Sequence, residues 1–173
     1  LILASVLGSE ALTIYSVLNS LSQIIFLVPS ASLYWIFPTA SKLSANNKYI
    51  PKSFYKKSII ANILISLPIG FFMIAFGKQI ISLWIGIDFA SENYLFFILV
   101  SISWTILSLY VATHYLLLGF GKEKLLGLIN IYGGILSVIV SYLGITIFGI
   151  YGVIFGKFAL IISLFKQVPT SQN

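Results

Sequence analysis

The sequence predicts an all-α protein, a polytopic bundle of transmembrane helices, and three observations carry that expectation. Hydrophobic residues make up 59 % of the chain against 8 % charged, and mean hydropathy is +1.05, so most of the chain has lipid as its solvent. Apolar runs long enough for a helix to cross the hydrocarbon core, about 20 residues, recur along the chain. The lysines fall in every second gap between those runs: Lys42, Lys48, Lys52, Lys56 and Lys57 in one, Lys122 and Lys124 in another, Lys166 after the last. That alternation is the positive-inside pattern, and it puts these gaps and the C-terminus on the cytoplasmic side. The backbone must be helical, because unpaired amides in lipid cost several kcal/mol and the alternating pattern of barrel strands is absent.

The elements follow in order. Residues 1–7 are apolar and end at Gly8-Ser9-Glu10, which reads as the tail of a preceding helix and the chain as a fragment of a larger protein. The charged n-region, short apolar core and cleavage site of a signal peptide do not occur together there. The first complete span covers about 11–37 and stops at Pro38, which disfavours helix continuation. Beyond it, residues 41–48 are polar and turn-prone. The second span, about 58–76, holds Pro68 and Gly70 near its middle, where a kink is expected. Residues 78–88 are too interrupted to span and are expected at the interface, anchored by Trp84.

The third span covers about 94–118 and ends in the turn Gly119-Phe120-Gly121-Lys122. Residues 125–165 carry one charge and are twice the length of one crossing, so Gly144 and Gly149 are expected to break them into spans at about 125–143 and 150–165. Two crossings keep Lys124 and Lys166 on one side, whereas one would separate them. The total is five complete spans plus the initial tail.

Lys157 is the residue most at odds with its surroundings. It lies midway between Gly149 and Lys166, where a charge costs roughly 2.5 to 3.5 kcal/mol to insert. Either it faces a cavity as a cation for an anionic substrate, or the short final helix lets its ammonium snorkel to an interface. Tyr15, Asn19 and Gln23 recur every four residues in the first span and form a polar face that must meet another helix or water. Interhelical hydrogen bonding and a substrate-lined cavity both explain it. Asn62 and Ser66, then Asn130, Gly134, Ser137 and Ser141, repeat the pattern, and Gly152 and Gly156 mark close helix packing. His114, with Tyr110 one turn before it, is a possible proton relay because imidazole titrates near neutrality, or else a solvated or hydrogen-bonded structural histidine.

Other chemistries lack their residues. The four carboxylates, Glu10, Asp88, Glu92 and Glu123, sit at loops or span ends, no metal-ligand spacing or nucleophile elbow occurs, and there is neither cysteine nor arginine. The chain is therefore not expected to be an enzyme or to hold a metal or cofactor. The net charge of +6 is dispersed among short loops with no basic stripe interleaved with aromatics, which excludes nucleic acid as a partner in favour of anionic membrane lipid.

Several segments, taken in order, resemble a known family. Ala11-Leu12-Thr13-Ile14-Tyr15-Ser16 follows an acidic tight turn, and the long helix after it ends Phe37-Pro38-Thr39-Ala40-Ser41-Lys42-Leu43. Leu116-Leu117-Leu118-Gly119-Phe120-Gly121-Lys122, the helix of Asn130, and Gly149-Ile150-Tyr151-Gly152-Val153-Ile154 complete the series. Together they are similar to the polysaccharide-biosynthesis flippases of the multidrug/oligosaccharidyl-lipid/polysaccharide exporter superfamily. The resemblance implies the C-terminal lobe of a twelve-helix, two-lobed transporter in the bacterial cytoplasmic membrane, partnered by the N-terminal lobe of the same protein. It implies a lipid-linked oligosaccharide substrate, carried on undecaprenyl pyrophosphate by alternating access. Lys157 would then meet the pyrophosphate, and Asn19 and Gln23 the sugar hydroxyls. A drug or metabolite antiporter of the same superfamily, or a membrane-embedded glycan polymerase or acyl transferase, remains the alternative. An antiporter would want an intramembrane carboxylate, and a polymerase a large outer loop with clustered His, Arg or carboxylates.

Overall fold

A computed structural model describes residues 2–46 and 49–165, so Lys48 and Lys166 of the charge pattern lie outside the described residues. Among the described residues seven helices follow one another: α1 (Ile2–Ser32), α2 (Ile36–Ser44), α3 (Lys52–Trp84), α4 (Ile87–Ser108), α5 (Val111–Gly119), α6 (Glu123–Phe148) and α7 (Gly152–Phe165). A 3-10 turn at Gly149–Tyr151 joins the last two, and among the described residues there is no strand. The stretches Val6–Ser32, Lys52–Trp84, Ile87–Gly119 and Glu123–Phe165 are each long and apolar enough to cross a membrane. The chain is thus an all-α membrane bundle.

Three local expectations need correction. Pro38 does not end the first helix. It is the third residue of α2, where the first-turn amides have no intrahelical acceptor and the missing N–H costs little. The break falls earlier, at residues 33–35, where Ile36 N bonds Leu33 O at 3.0 Å and Phe37 N bonds Tyr34 O at 3.1 Å, a tightened turn after the buried Pro29. Nor is the segment expected at the interface separate from the second span. α3 runs through Pro68, Gly70 and Lys78 to Trp84, and α4 starts three residues later behind Gly86, whose φ of +137° few other residues adopt. Of the two glycines expected to break 125–165, only Gly149 does so, with φ +58°. Gly144 is helical and buried. At the start of the chain, Gly8 interrupts the helical backbone with φ +87° and ψ 177°, between the initial tail and the rest of α1.

Contacts give the helix directions. Along α3, Asn62, Gly70, Ile74 and Gly77 meet Leu109, Thr105, Tyr94 and Phe97, so α3 and α4 are antiparallel. Gly144, Ser141 and Gly133 of α6 meet Gly152, Gly156 and Ser163 of α7, so those two helices form a hairpin. A Cβ on Gly152 would overlap the backbone of Gly144 and Ile145, which is why this crossing takes glycine. Partners advance together between α1 and α4–α5, from Ser22–Ser101 to Ser30–Tyr115. They advance together between α4 and α7 as well, from Phe96–Tyr151 to Tyr110–Phe165. Hence α1, α4–α5 and α7 run one way, and α3 and α6 the other.

This arrangement gathers the lysines. Gly119 at the end of α5 lies against Phe37, Ala40 and Ser41 of α2, so Lys42, Lys122 and Lys124 share one end of the bundle with Lys52, Lys56 and Lys57 at the start of α3. Glu10, Lys78, Asp88, Glu92 and the Gly149 turn lie at the other. The uncharged stretch of α3 between Lys57 and Lys78 is about 30 Å at 1.5 Å per residue, the thickness of a hydrocarbon core. Its lipid face is apolar: Leu64, Leu67, Phe71, Phe72 and Phe76 are exposed. The inner face carries small and polar residues, Ser58, Asn62, Ser66, Gly70 and Gly77, all buried. Asn62 holds the α4–α5 junction, its Nδ2 donating to Leu109 O at 2.7 Å while its Oδ1 accepts from Ser66 at 2.9 Å. The core proper is built from Leu18, Ile25, Met73, Ile81, Phe96, Phe97, Val100 and Ile154, drawn from α1, α3, α4 and α7.

Candidate functional site

Lys157 lies on α7 at the level where Gly156 meets Ser137 and Ser141 in the middle of α6, well away from both ends of the hairpin. Because α1, α4 and α7 run parallel, the same level brings Tyr15, Asn19 and Trp104 to it. The ammonium donates to Asn19 Oδ1 at 2.5 Å. It sits 4.5 Å from the centre of the Trp104 ring and 5.7 Å from that of Tyr15, both within cation–π range. Trp104 Nε1 donates to the same Asn19 oxygen at 3.1 Å, so two donors fix how that carboxamide lies. Asn19 Nδ2 then has no partner among the described residues and remains a free donor.

No acid balances this cation. Glu10, Asp88, Glu92 and Glu123 are all exposed at or near element ends. The positive charge is therefore held by one carbonyl oxygen and two aromatic faces, which stabilise it less than a carboxylate would. A cavity of about 80 Å³ lies beside it, lined by Ser103, Trp104, Leu107, Lys157, Leu160 and Ile161. An anion entering there would meet an uncompensated ammonium in an apolar wall.

A second cavity, of about 230 Å³, adjoins the first at Leu107 and Leu160 and extends toward the lysine-rich end. His114 lines it with Tyr110, Tyr115, Ser30 and Asn130. Tyr115 Oη is 2.9 Å from Ser30 Oγ and donates to Ser30 O at 3.0 Å. His114 and Tyr110 have ring centres 6.2 Å apart, yet no hydrogen bond joins them, and the buried Tyr110 hydroxyl has no partner among the described residues. The pair expected on one helical face is a ring contact only.

Of the residues singled out in the sequence, Lys157 and Asn19 are brought into direct contact. His114 belongs to the neighbouring cavity. Gln23, one turn beyond Asn19, is half-buried, makes no hydrogen bond among the described residues and lines neither cavity. Trp104 was missed. Its signal is position: tryptophans in membrane helices favour the interfaces, and this one is mid-span with an N–H that must find an acceptor.

An all-α membrane bundle with an acid-free lysine at its centre narrows the class, and the family description MatE, which matches residues 1–143, decides it. The chain belongs to the MatE family. It is a membrane transporter of the multidrug/oligosaccharidyl-lipid/polysaccharide exporter superfamily. The MatE match takes in Tyr15, Asn19, Trp104 and His114 but ends within α6, short of Lys157. Comparison with curated proteins and with solved structures returns no match.

Proposed function

We propose that this MatE chain is one lobe of a flippase that moves undecaprenyl-pyrophosphate-linked oligosaccharide across the bacterial cytoplasmic membrane by alternating access. The lysine-rich end and the C-terminus face the cytoplasm, and the N-terminal lobe of the same protein completes the pathway. The observation that carries the reading is Lys157, a mid-membrane ammonium with no acidic partner, which offers the lipid-linked pyrophosphate its counter-charge. Asn19 presents a free amide beside it, and Gln23 a second carboxamide on the same helix for sugar hydroxyls. A cation antiporter is less well served, since all four acids are exposed near element ends.

The test is complementation of a strain lacking the transporter with the full-length protein carrying Lys157→Ala. Surface polysaccharide should disappear while membrane abundance is unchanged. Normal polysaccharide from that variant would remove Lys157 from the site and the reading with it.

A further inference from the structure

We infer that the cavity around Tyr110, His114 and Asn130 is a sugar subsite, which receives the first ring of the glycan while the pyrophosphate sits at Lys157. This rests on the flippase reading above and adds to it a second binding place with its own chemistry.

The lining is uncharged, unlike that of the lysine cavity. Its polar groups are a phenol, an imidazole, a carboxamide and the Ser30–Tyr115 pair, set among the rings of Phe26, Tyr110 and Tyr115. A pyranose has the matching character: a C–H face that lies on aromatic rings and hydroxyls that both donate and accept. The Tyr110 hydroxyl gives an independent reason for an occupant. It is buried without a partner, and a buried polar group left unpaired is a cost to the folded state. A single water would satisfy it, but at ~30 Å³ per molecule the cavity of about 230 Å³ has room for several. Purely apolar cargo would leave the buried Tyr110 hydroxyl unpaired, and a second anion would find no cation there. The common border at Leu107 and Leu160 puts the two cavities in the order in which a glycosyl pyrophosphate presents its sugar and its charge.

The experiment uses the full-length protein in lipid nanodiscs and a photoreactive alkyl glucoside carrying a diazirine on the sugar, with the same alkyl diazirine lacking the sugar as control. Labelled peptides are mapped by mass spectrometry. The glucoside should label residues 107–115 and the start of α6, and excess methyl glucoside should suppress that labelling. Tyr110→Phe and Asn130→Leu should each reduce it about fivefold, the loss of one hydrogen bond. Tyr132→Leu, on the exposed face of α6, should not. Labelling that matches the sugar-free control, or that ignores methyl glucoside and both cavity variants, overturns the subsite. The flippase reading is tested separately by polysaccharide in Lys157→Ala, so a failure of the subsite and a failure of the reading it rests on are told apart.

Discussion

The two cavities share Leu107 and Leu160 as a wall and differ in almost everything else. Around Lys157 the space is small, about 80 Å³, and its polar contacts converge: ammonium and indole N–H both end on Asn19 Oδ1. Around His114 the space is nearly three times larger, and neither the imidazole nor the Tyr110 hydroxyl has a hydrogen-bond partner among the described residues. One place is organised around a charge before any substrate arrives, and the other keeps hydrogen-bonding capacity in reserve. On that contrast, removing the charge at the lysine should alter transport steeply, whereas exchanging the histidine for another hydrogen-bonding group should alter it hardly at all.

The largest effect is expected from Lys157→Met, which keeps the apolar stem and removes the charge. Transport, read as surface polysaccharide or as flipping in proteoliposomes, should fall to background. The thermal midpoint in detergent should stay or rise, because an ammonium without an acidic partner is a cost to the folded bundle rather than a support. A variant that unfolds would mean that Lys157 is a structural strut and that the two cavities do not divide as described.

Asn19→Leu comes next. It strips the ammonium of its only oxygen ligand among the described residues and leaves the Trp104 indole without an acceptor, so transport should drop about tenfold, the scale of one charge-assisted hydrogen bond. Trp104→Phe is milder, since an aromatic face still covers the cation and only the N–H is lost. A decrease of about threefold is expected. If the order of these two were reversed, the ring and not the carboxamide would be the main support of Lys157.

The same contrast explains what was readable in the sequence. Lys157 stood out because charge in an apolar run is a local anomaly. The break at Gly149 was readable because a 41-residue apolar run must fold back somewhere, and glycine with positive φ is the residue that permits it. Proline was misread at Pro38 because its cost depends on position: in the first turn of a helix it removes an amide that needs no intrahelical acceptor. The interrupted stretch from Lys78 suggested a separate segment, which α3 instead runs into, since a helix longer than the membrane is thick can carry its charged end beyond the lipid. The Asn19–Trp104–Lys157 convergence depends on which helices run parallel and at what level. The periodicity of one helix gives its polar face but not its partner, so Trp104 stayed hidden among other aromatics.

His114→Gln is the smallest change and the sharpest check on the comparison. Glutamine retains a donor and an acceptor of similar reach but cannot carry a proton, so the substitution separates a polar wall from a relay. Among the described residues the His114 side chain has only ring contacts, 6.2 Å to Tyr110 and 5.9 Å to Tyr115, and the other groups around the cavity, Ser30 and Asn130, do not titrate at physiological pH. Among the described residues no chain of hydrogen-bonded side chains connects it to Lys157. Transport by His114→Gln should therefore stay within about twofold of the parent and keep the same dependence on external pH, since an exchange of one neutral hydrogen-bonding group for another is worth a fraction of a kcal/mol. A loss of an order of magnitude, with a flattened pH profile, would instead make this cavity a proton path, and the division between a charged site and a neutral one would have to be redrawn around the histidine.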